Sequence, residues 1–152
     1  MSKKDYQNLE TLCVQAGYDP KSGEPRIAPI VQSTTFKYDK TQTVADLFDL
    51  KESGFFYTRL GNPTIDALEQ RVAALDGGAA AVATSSGQSA SLNAVLNITN
   101  AGDNIVVLNN IYGGTYNLFG TTLKNWGIEA RFVPSNDLEA AEKQIDDKTT
   151  LV

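Results

Sequence analysis

Residues 79–97 read AAAVATSSGQSASLNAVLN, a short apolar run that turns into a helix pattern across a Ser-Ser-Gly elbow. Ala81, Val82 and Ala83 suit a strand buried on both faces, because a parallel strand between helix layers shows continuous small or branched apolar residues. Leu92, Val95 and Leu96 then recur at helical spacing, which sets Ser86, Gly87 and Gln88 at a helix N-terminus. Backbone N–H groups there have no intrahelical partner, and the positive end of the helix dipole favours an anion such as a phosphate. Two readings stay open on the elbow alone: a phosphate cup, or a turn capped by Ser86 that holds only water.

Downstream, Ala101-Gly102-Asp103 forms a turn, Asn104 to Leu108 (NIVVL) a second buried-type strand, and Tyr112-Gly113-Gly114 a further turn. Tyr116 to Trp126 is expected to be a helix ended by Gly127, and Ile128 to Val133 a strand with Ile128, Ala130 and Phe132 alternating. Asn136-Asp137 caps a last helix to about Ile145, and Thr149 to Val152 starts a fourth strand, as if the chain were a fragment of a longer protein. Alternation of this kind predicts an α/β fold with a mostly parallel sheet between two helix layers.

Upstream, Asn62-Pro63-Thr64 opens a helix, with Thr64 the expected cap and Leu68, Val72 and Leu75 on one face, and Gly77-Gly78 ends it. Residues 1–60 carry Pro20, Pro25, Pro29, Gly17 and Gly23 with little periodicity, apart from a short helical register in Val44 to Glu52. They are expected to form an extended arm that lies on a surface, either the domain's own or that of a second subunit. Residues 61–152 are then the domain proper.

Composition narrows the chemistry. Of 152 residues 41% are hydrophobic and 20% charged, ordinary for a soluble globular chain. A net charge of -5 without a Lys/Arg cluster argues against a nucleic-acid surface. No apolar run is long enough to span a bilayer, and MSKKDYQNLE lacks the apolar core of a signal peptide, so a cytoplasmic protein off the membrane is expected. With no His and only Cys13, neither a transition-metal site nor a Ser-His or Cys-His nucleophile pair can be built, so no metal is expected. Lys, Tyr, carboxylates or a cofactor must carry any acid-base work.

Ligands of open α/β sheets collect beyond the carboxyl ends of strands, where both the elbow and Tyr112 fall. Between two flanking glycines and a strand end, the Tyr112 ring could lie flat on a planar ligand, or be a plain surface aromatic. The dipole of one helix contributes about 0.3–2 kcal/mol to holding an anion. Micromolar retention takes roughly 8 kcal/mol. A fixed Arg is the natural supplement, and Arg59 beside Tyr57 offers a bidentate donor with a phenol next to it; taken alone, the pair could equally be an idle surface contact.

Tyr57-Thr58-Arg59 with Asn62-Pro63-Thr64, Ser85-Ser86-Gly87-Gln88, Ala101-Gly102-Asp103 and Tyr112-Gly113-Gly114-Thr115-Tyr116 occur in this order. Together they resemble the pyridoxal-phosphate enzymes of cysteine and methionine metabolism, from about Thr11 to the end of the chain. Val44-Ala45-Asp46-Leu47-Phe48 makes the O-acetylhomoserine sulfhydrylases the most similar group. The resemblance implies the first part of a fold-type I large domain, like that of aspartate aminotransferase, and pyridoxal 5'-phosphate as cofactor. Gly87 and Gln88, with Ser86 as a weaker donor, would bind the cofactor phosphate; Tyr112 would stack on its ring and assist proton transfer at the leaving group. Tyr57 and Arg59 would reach the phosphate of a neighbouring subunit in a homo-oligomer, a dimer or tetramer.

The implied reaction is γ-replacement of O-acetylhomoserine by sulfide or a thiol, giving homocysteine or methionine. Methionine γ-lyase and cystathionine γ-synthase or lyase chemistry are the near alternatives. Gly61 before Asn62 departs from the family pattern and loosens that turn. The family's cofactor-bearing Lys and the Asp on the ring nitrogen have no match here: Lys124, Lys143 and Lys148 lie in or beside helices, and Asp103 at the wrong end of its strand. Both are expected beyond Val152, so the chain alone is expected to be inactive. A non-catalytic nucleotide-binding module, which lacks here a G-x-G-x-x-G, and a non-catalytic interaction fragment are the readings from other classes.

Overall fold

A computed structural model of the protein describes residues 8–152, and its elements follow the chain in the order α1 (Leu9–Gln15), α2 (Thr41–Phe48), α3 (Pro63–Asp76), α4 (Gly87–Leu96), β1 (Asn104–Leu108), α5 (Gly113–Asn117), a π-helical segment (Leu118–Leu123), β2 (Glu129–Val133), α6 (Leu138–Lys143) and β3 (Thr149–Leu151). They divide into two compact units that meet in sequence at Ala83 and Thr84.

The unit from Thr84 holds a parallel sheet in the order β2-β1-β3. β1 aligns with β2 from Asn104 opposite Glu129 to Leu108 opposite Val133, and its other edge pairs with β3. The alternation of the strands feeds two cores. Ile105 and Val107 point to the side where Val95 of α4 and Leu123 of the π-helical segment are buried, with Leu92, Phe119, Ala130 and Phe132 around them. Val106 and Val133 point to the other side, against Ala140 and Ala141 of α6. Helices therefore cover both faces, the three-layer α/β arrangement expected from the strand-helix alternation. Each fully buried large side chain, Ile105 and Leu123 among them, contributes about 1.5–3 kcal/mol by leaving water.

In the other unit α3 is the scaffold. Its N-cap is Asn62, whose Oδ1 accepts from the Thr64 amide at 2.9 Å, with Pro63 at the first helical position. Thr64 is thus not the cap. Its Oγ1 donates to the Pro29 carbonyl at 2.8 Å and accepts from the Val31 amide at 2.9 Å, while Asn62 Nδ2 donates to the Val31 carbonyl at 3.0 Å. The proline-rich segment is held to the helix start by these bonds. Farther along, Arg71 Nε donates to the Ala16 carbonyl at 2.8 Å, and Gly17 at φ +83° lies so close that a Cβ there would stand 2.1 Å from the Ala67 carbonyl oxygen. Gly77 ends α3 in the left-handed conformation, which glycine adopts without steric cost.

Several expectations are corrected. Residues 79–84 form no strand, and Val82 is 82% exposed: a strand exists only as part of a ladder, and among the described residues none pairs with this segment. The sheet accordingly has three strands rather than four. Leu68 and Val72 are exposed; α3 buries Ala67 and Ala73 instead, Ala67 where the chain at Gly17 approaches so closely that only a small residue fits. The helix expected to begin at Tyr116 begins at Gly113 and loosens into a π-helix before Gly127 ends it at φ +84°. Leu9–Gln15 adds a helix inside the region read as irregular.

Candidate functional site

At the elbow, Ser86 is fully extended and its Oγ accepts from the Ser89 amide at 3.1 Å. The next bond in register runs from the Ala90 amide to the Ser86 carbonyl at 3.0 Å. The amides of Gly87 and Gln88 consequently have no acceptor among the described residues, as the start of a helix requires. A Cβ placed on Gly87 would meet nothing within 4 Å, so the side-chain position of that residue is open. The Ser86 hydroxyl, which accepts from Ser89, keeps its own proton free to donate outward.

Tyr112 lies four residues after β1 and caps the N-terminus of α5, its carbonyl accepting from the Tyr116 amide at 2.9 Å. Its ring is 76% exposed. One edge of that ring and the Gln88 carboxamide converge on the same point: a Cβ on Gly114 would stand 2.7 Å from Tyr112 Cε1 and 3.1 Å from Gln88 Nε2. Gln88 Nε2 also donates to Thr115 Oγ1 at 3.0 Å. The elbow and the Tyr112 turn are therefore neighbours on one rim, with an exposed aromatic ring next to unpaired amides. A Cβ on Gly113 would again meet nothing within 4 Å.

Tyr57 and Arg59 belong to the other unit. Tyr57 bridges antiparallel to Thr35, the Thr58 amide donates to the Thr34 carbonyl at 2.9 Å, and Thr58 Oγ1 donates to the Ser33 carbonyl. The guanidinium carbon of Arg59 sits 5.1 Å from the centroid of the half-buried Tyr57 ring. Such a cation–π contact orients the side chain without neutralising it. Arg59 is exposed and has no carboxylate partner among the described residues, which leaves its donors available to an anion.

Sequence reading missed one polar cluster. Asn104, buried at the start of β1, donates through Nδ2 to Asp146 Oδ1 at 2.8 Å and accepts through Oδ1 from Thr149 Oγ1 at 2.7 Å. Arg131 of β2 donates to Asp146 Oδ2 at 2.8 Å and to the Gln144 carbonyl at the same distance. The Asn104 bond first, then Arg131 and the Lys148 amide, hold the Asp146 carboxyl well below the usual carboxylate range. Asp146 raises the Arg131 pKa in turn. The cluster joins all three strands, through the first residues of β1 and β3 and the central Arg131 of β2, away from the end where Tyr112 lies, and every member is satisfied. It is a fastening of the sheet; no long-range pair of this kind is visible in sequence spacing. Asp103, also at that end, accepts from the Asn100 amide at 2.7 Å and so serves its turn.

A parallel three-stranded sheet covered by helices on both faces defines the unit from Thr84 as a three-layer α/β protein. Residues 10–152 match the model of the Cys/Met metabolism PLP-dependent enzyme family, and the chain belongs to that family. It is 48% identical over 141 residues to an O-acetyl-L-homoserine sulfhydrylase of Leptospira meyeri, covering 92% of this chain and 32% of the relative. A homocysteine/cysteine synthase of Kluyveromyces lactis is 45% identical over 144 residues, covering 93% and 32%. Among solved structures, one from Campylobacter jejuni assigned as an O-acetylhomoserine (thiol)-lyase superposes with a TM-score of 0.87 at 42% identity, covering 93% of this chain and 35% of that one. It carries N'-pyridoxyl-lysine-5'-monophosphate. The chain spans about a third of the length of the curated relatives it matches. No helix among the described residues is long and apolar enough to cross a membrane.

Proposed function

We propose that the protein to which this chain belongs is a pyridoxal-phosphate-dependent enzyme that replaces the acetoxy group at Cγ of O-acetylhomoserine, released as acetate, with sulfide or a thiol, giving homocysteine or methionine. The residues fit the cofactor: among the described residues the amides of Gly87 and Gln88 have no acceptor, the side-chain position of Gly87 is open, and the Tyr112 ring is exposed. In this reading those amides bind the phosphate, the Ser86 hydroxyl adds a weaker donor, and the Tyr112 ring stacks on the pyridine. Bound there, pyridoxal phosphate supplies an electron sink for carbanions at Cα and Cβ of the amino acid. The Tyr112 phenol holds a proton where the acetate oxygen departs.

Arg59, packed over the Tyr57 ring and without a carboxylate partner among the described residues, is proposed to reach the phosphate of a neighbouring subunit, with residues 1–60 as the arm that carries it across. Exposure of Ile27 (82%) and Ile30 (79%) supports an arm that needs a surface to cover it. A cytoplasmic homo-oligomer, a dimer or tetramer, follows from this reading, as do an amino-acid substrate and a sulfide or thiol as its small-molecule partners.

The observation that carries the proposal is the meeting of the Gln88 elbow and the Tyr112 ring at Gly114. Its test is the complete gene product: purified protein is expected to absorb near about 420 nm from bound cofactor and to turn O-acetylhomoserine and sulfide into homocysteine and acetate. Protein that takes up no pyridoxal phosphate overturns the reading. Release of 2-oxobutyrate and ammonia in place of homocysteine makes it a γ-eliminating enzyme.

A further inference from the structure

Gly114 is helical and has no need of the left-handed region, yet it is the point where two side chains meet. A Cβ there would press on Tyr112 Cε1 at 2.7 Å, a distance real Cβ atoms essentially never show, and on Gln88 Nε2 at 3.1 Å. The intruded atoms belong to side chains rather than backbone, so substitution displaces the ring and the carboxamide and leaves the helix standing. Beside this gap the Gln88 carboxamide is tied to Thr115 Oγ1 at 3.0 Å, one residue along α5. Gln88 is thereby fixed at both ends: its amide opens α4, and its side chain fastens to the helix that Tyr112 caps.

Resting on the pyridoxal-phosphate reading above, we propose that Gly114 and the Gln88–Thr115 hydrogen bond are positioning elements that lock the Tyr112 ring to the amide cup, so that the two halves of the cofactor site are set relative to each other before the cofactor arrives. A preformed site binds more tightly than one ordered on binding, because the ring and the helix start lose no further freedom. Gly114 gives the ring its seat; Thr115 holds the Gln88 side chain beside it.

The role separates from a merely structural one by sign. Alanine is the better helix former, so Gly114→Ala in the complete gene product is expected to melt at or above the wild-type temperature. Its dissociation constant for pyridoxal phosphate is nevertheless expected to rise roughly tenfold, the scale of one misplaced aromatic contact. The circular dichroism induced in the bound cofactor is expected to fall, because the stacked ring has moved. Thr115→Val, which keeps the shape and loses the hydroxyl, is expected to shift both cofactor readouts the same way, and Thr115→Ser to restore them. Folded Gly114→Ala and Thr115→Val proteins with wild-type affinity and wild-type dichroism overturn the proposal. If the wild type itself binds no pyridoxal phosphate, the functional reading has failed first, and that outcome is distinct.

Discussion

Asn62 shows how one residue ties local and long-range structure together. Its Oδ1 caps α3 through the Thr64 amide, and its Nδ2 reaches the Val31 carbonyl, 31 positions earlier, with the side chain 4% exposed. Losing a cap costs about 1 kcal/mol, and leaving the half-buried Val31 carbonyl without its donor adds about 1–3 kcal/mol. Asn62→Ala is therefore expected to lower unfolding free energy by about 2–4 kcal/mol in urea denaturation. Asn62→Ser, which keeps a capping oxygen and gives up the amide, is expected to fall in between. Equal losses for the two variants would mean that the amide donor to Val31, and not the cap, carries the effect. The Asn-Pro pair was legible as a helix start; that Asn rather than Thr is the cap was not, since both are good capping residues. What decides between them is the neighbouring chain at Pro29 and Val31, which occupies the Thr64 hydroxyl.

At the scale of elements, strands with partners were legible and the one without was not. NIVVL reads as buried on both faces and is, between β2 and β3. Ala81-Val82-Ala83 has the same apolar run and joins no ladder among the described residues, with Val82 and Ala83 exposed, because apolar character says nothing about which ladder a segment joins. The π-helical stretch LFGTTL likewise carries no pattern that separates it from an α-helix; packing of Gly120 against Phe132, where a Cβ would stand at 3.3 Å, is a tertiary fact. The fastening of the sheet by Asp146 yields a pH dependence. Its folded pKa lies below the unfolded value of about 3.9, so its contribution is fully present above that pH and is lost as pH falls through the folded value. Wild-type melting temperature is thus expected to drop more steeply below about pH 4 than that of Asp146→Asn. Parallel profiles for the two proteins would remove Asp146 from the account.

For the molecule as a whole, the elbow, Tyr112 and the Tyr57–Arg59 pair were all visible in sequence as residue types, but only the family resemblance related them, since no spacing says whether Arg59 serves its own chain or a second subunit. The proposed crossing has a consequence that no single-chain site shares. If Arg59 of one subunit completes the site whose ring contact is Tyr112 of the other, then Arg59→Ala and Tyr112→Ala proteins each carry a defect in every site. Subunits of the two mixed in one dimer distribute the defects unevenly: one site receives both, and the other receives neither. Unfolding and refolding the two inactive proteins together is expected to restore activity toward about one-quarter of the wild-type level, since half of the dimers are mixed and half of their sites intact. The same mixture is expected to recover one tightly held pyridoxal phosphate per mixed dimer, read by absorbance after dialysis. Were both residues to act within one chain, every site in the mixture would keep a defect, and neither readout would rise above those of the separate variants.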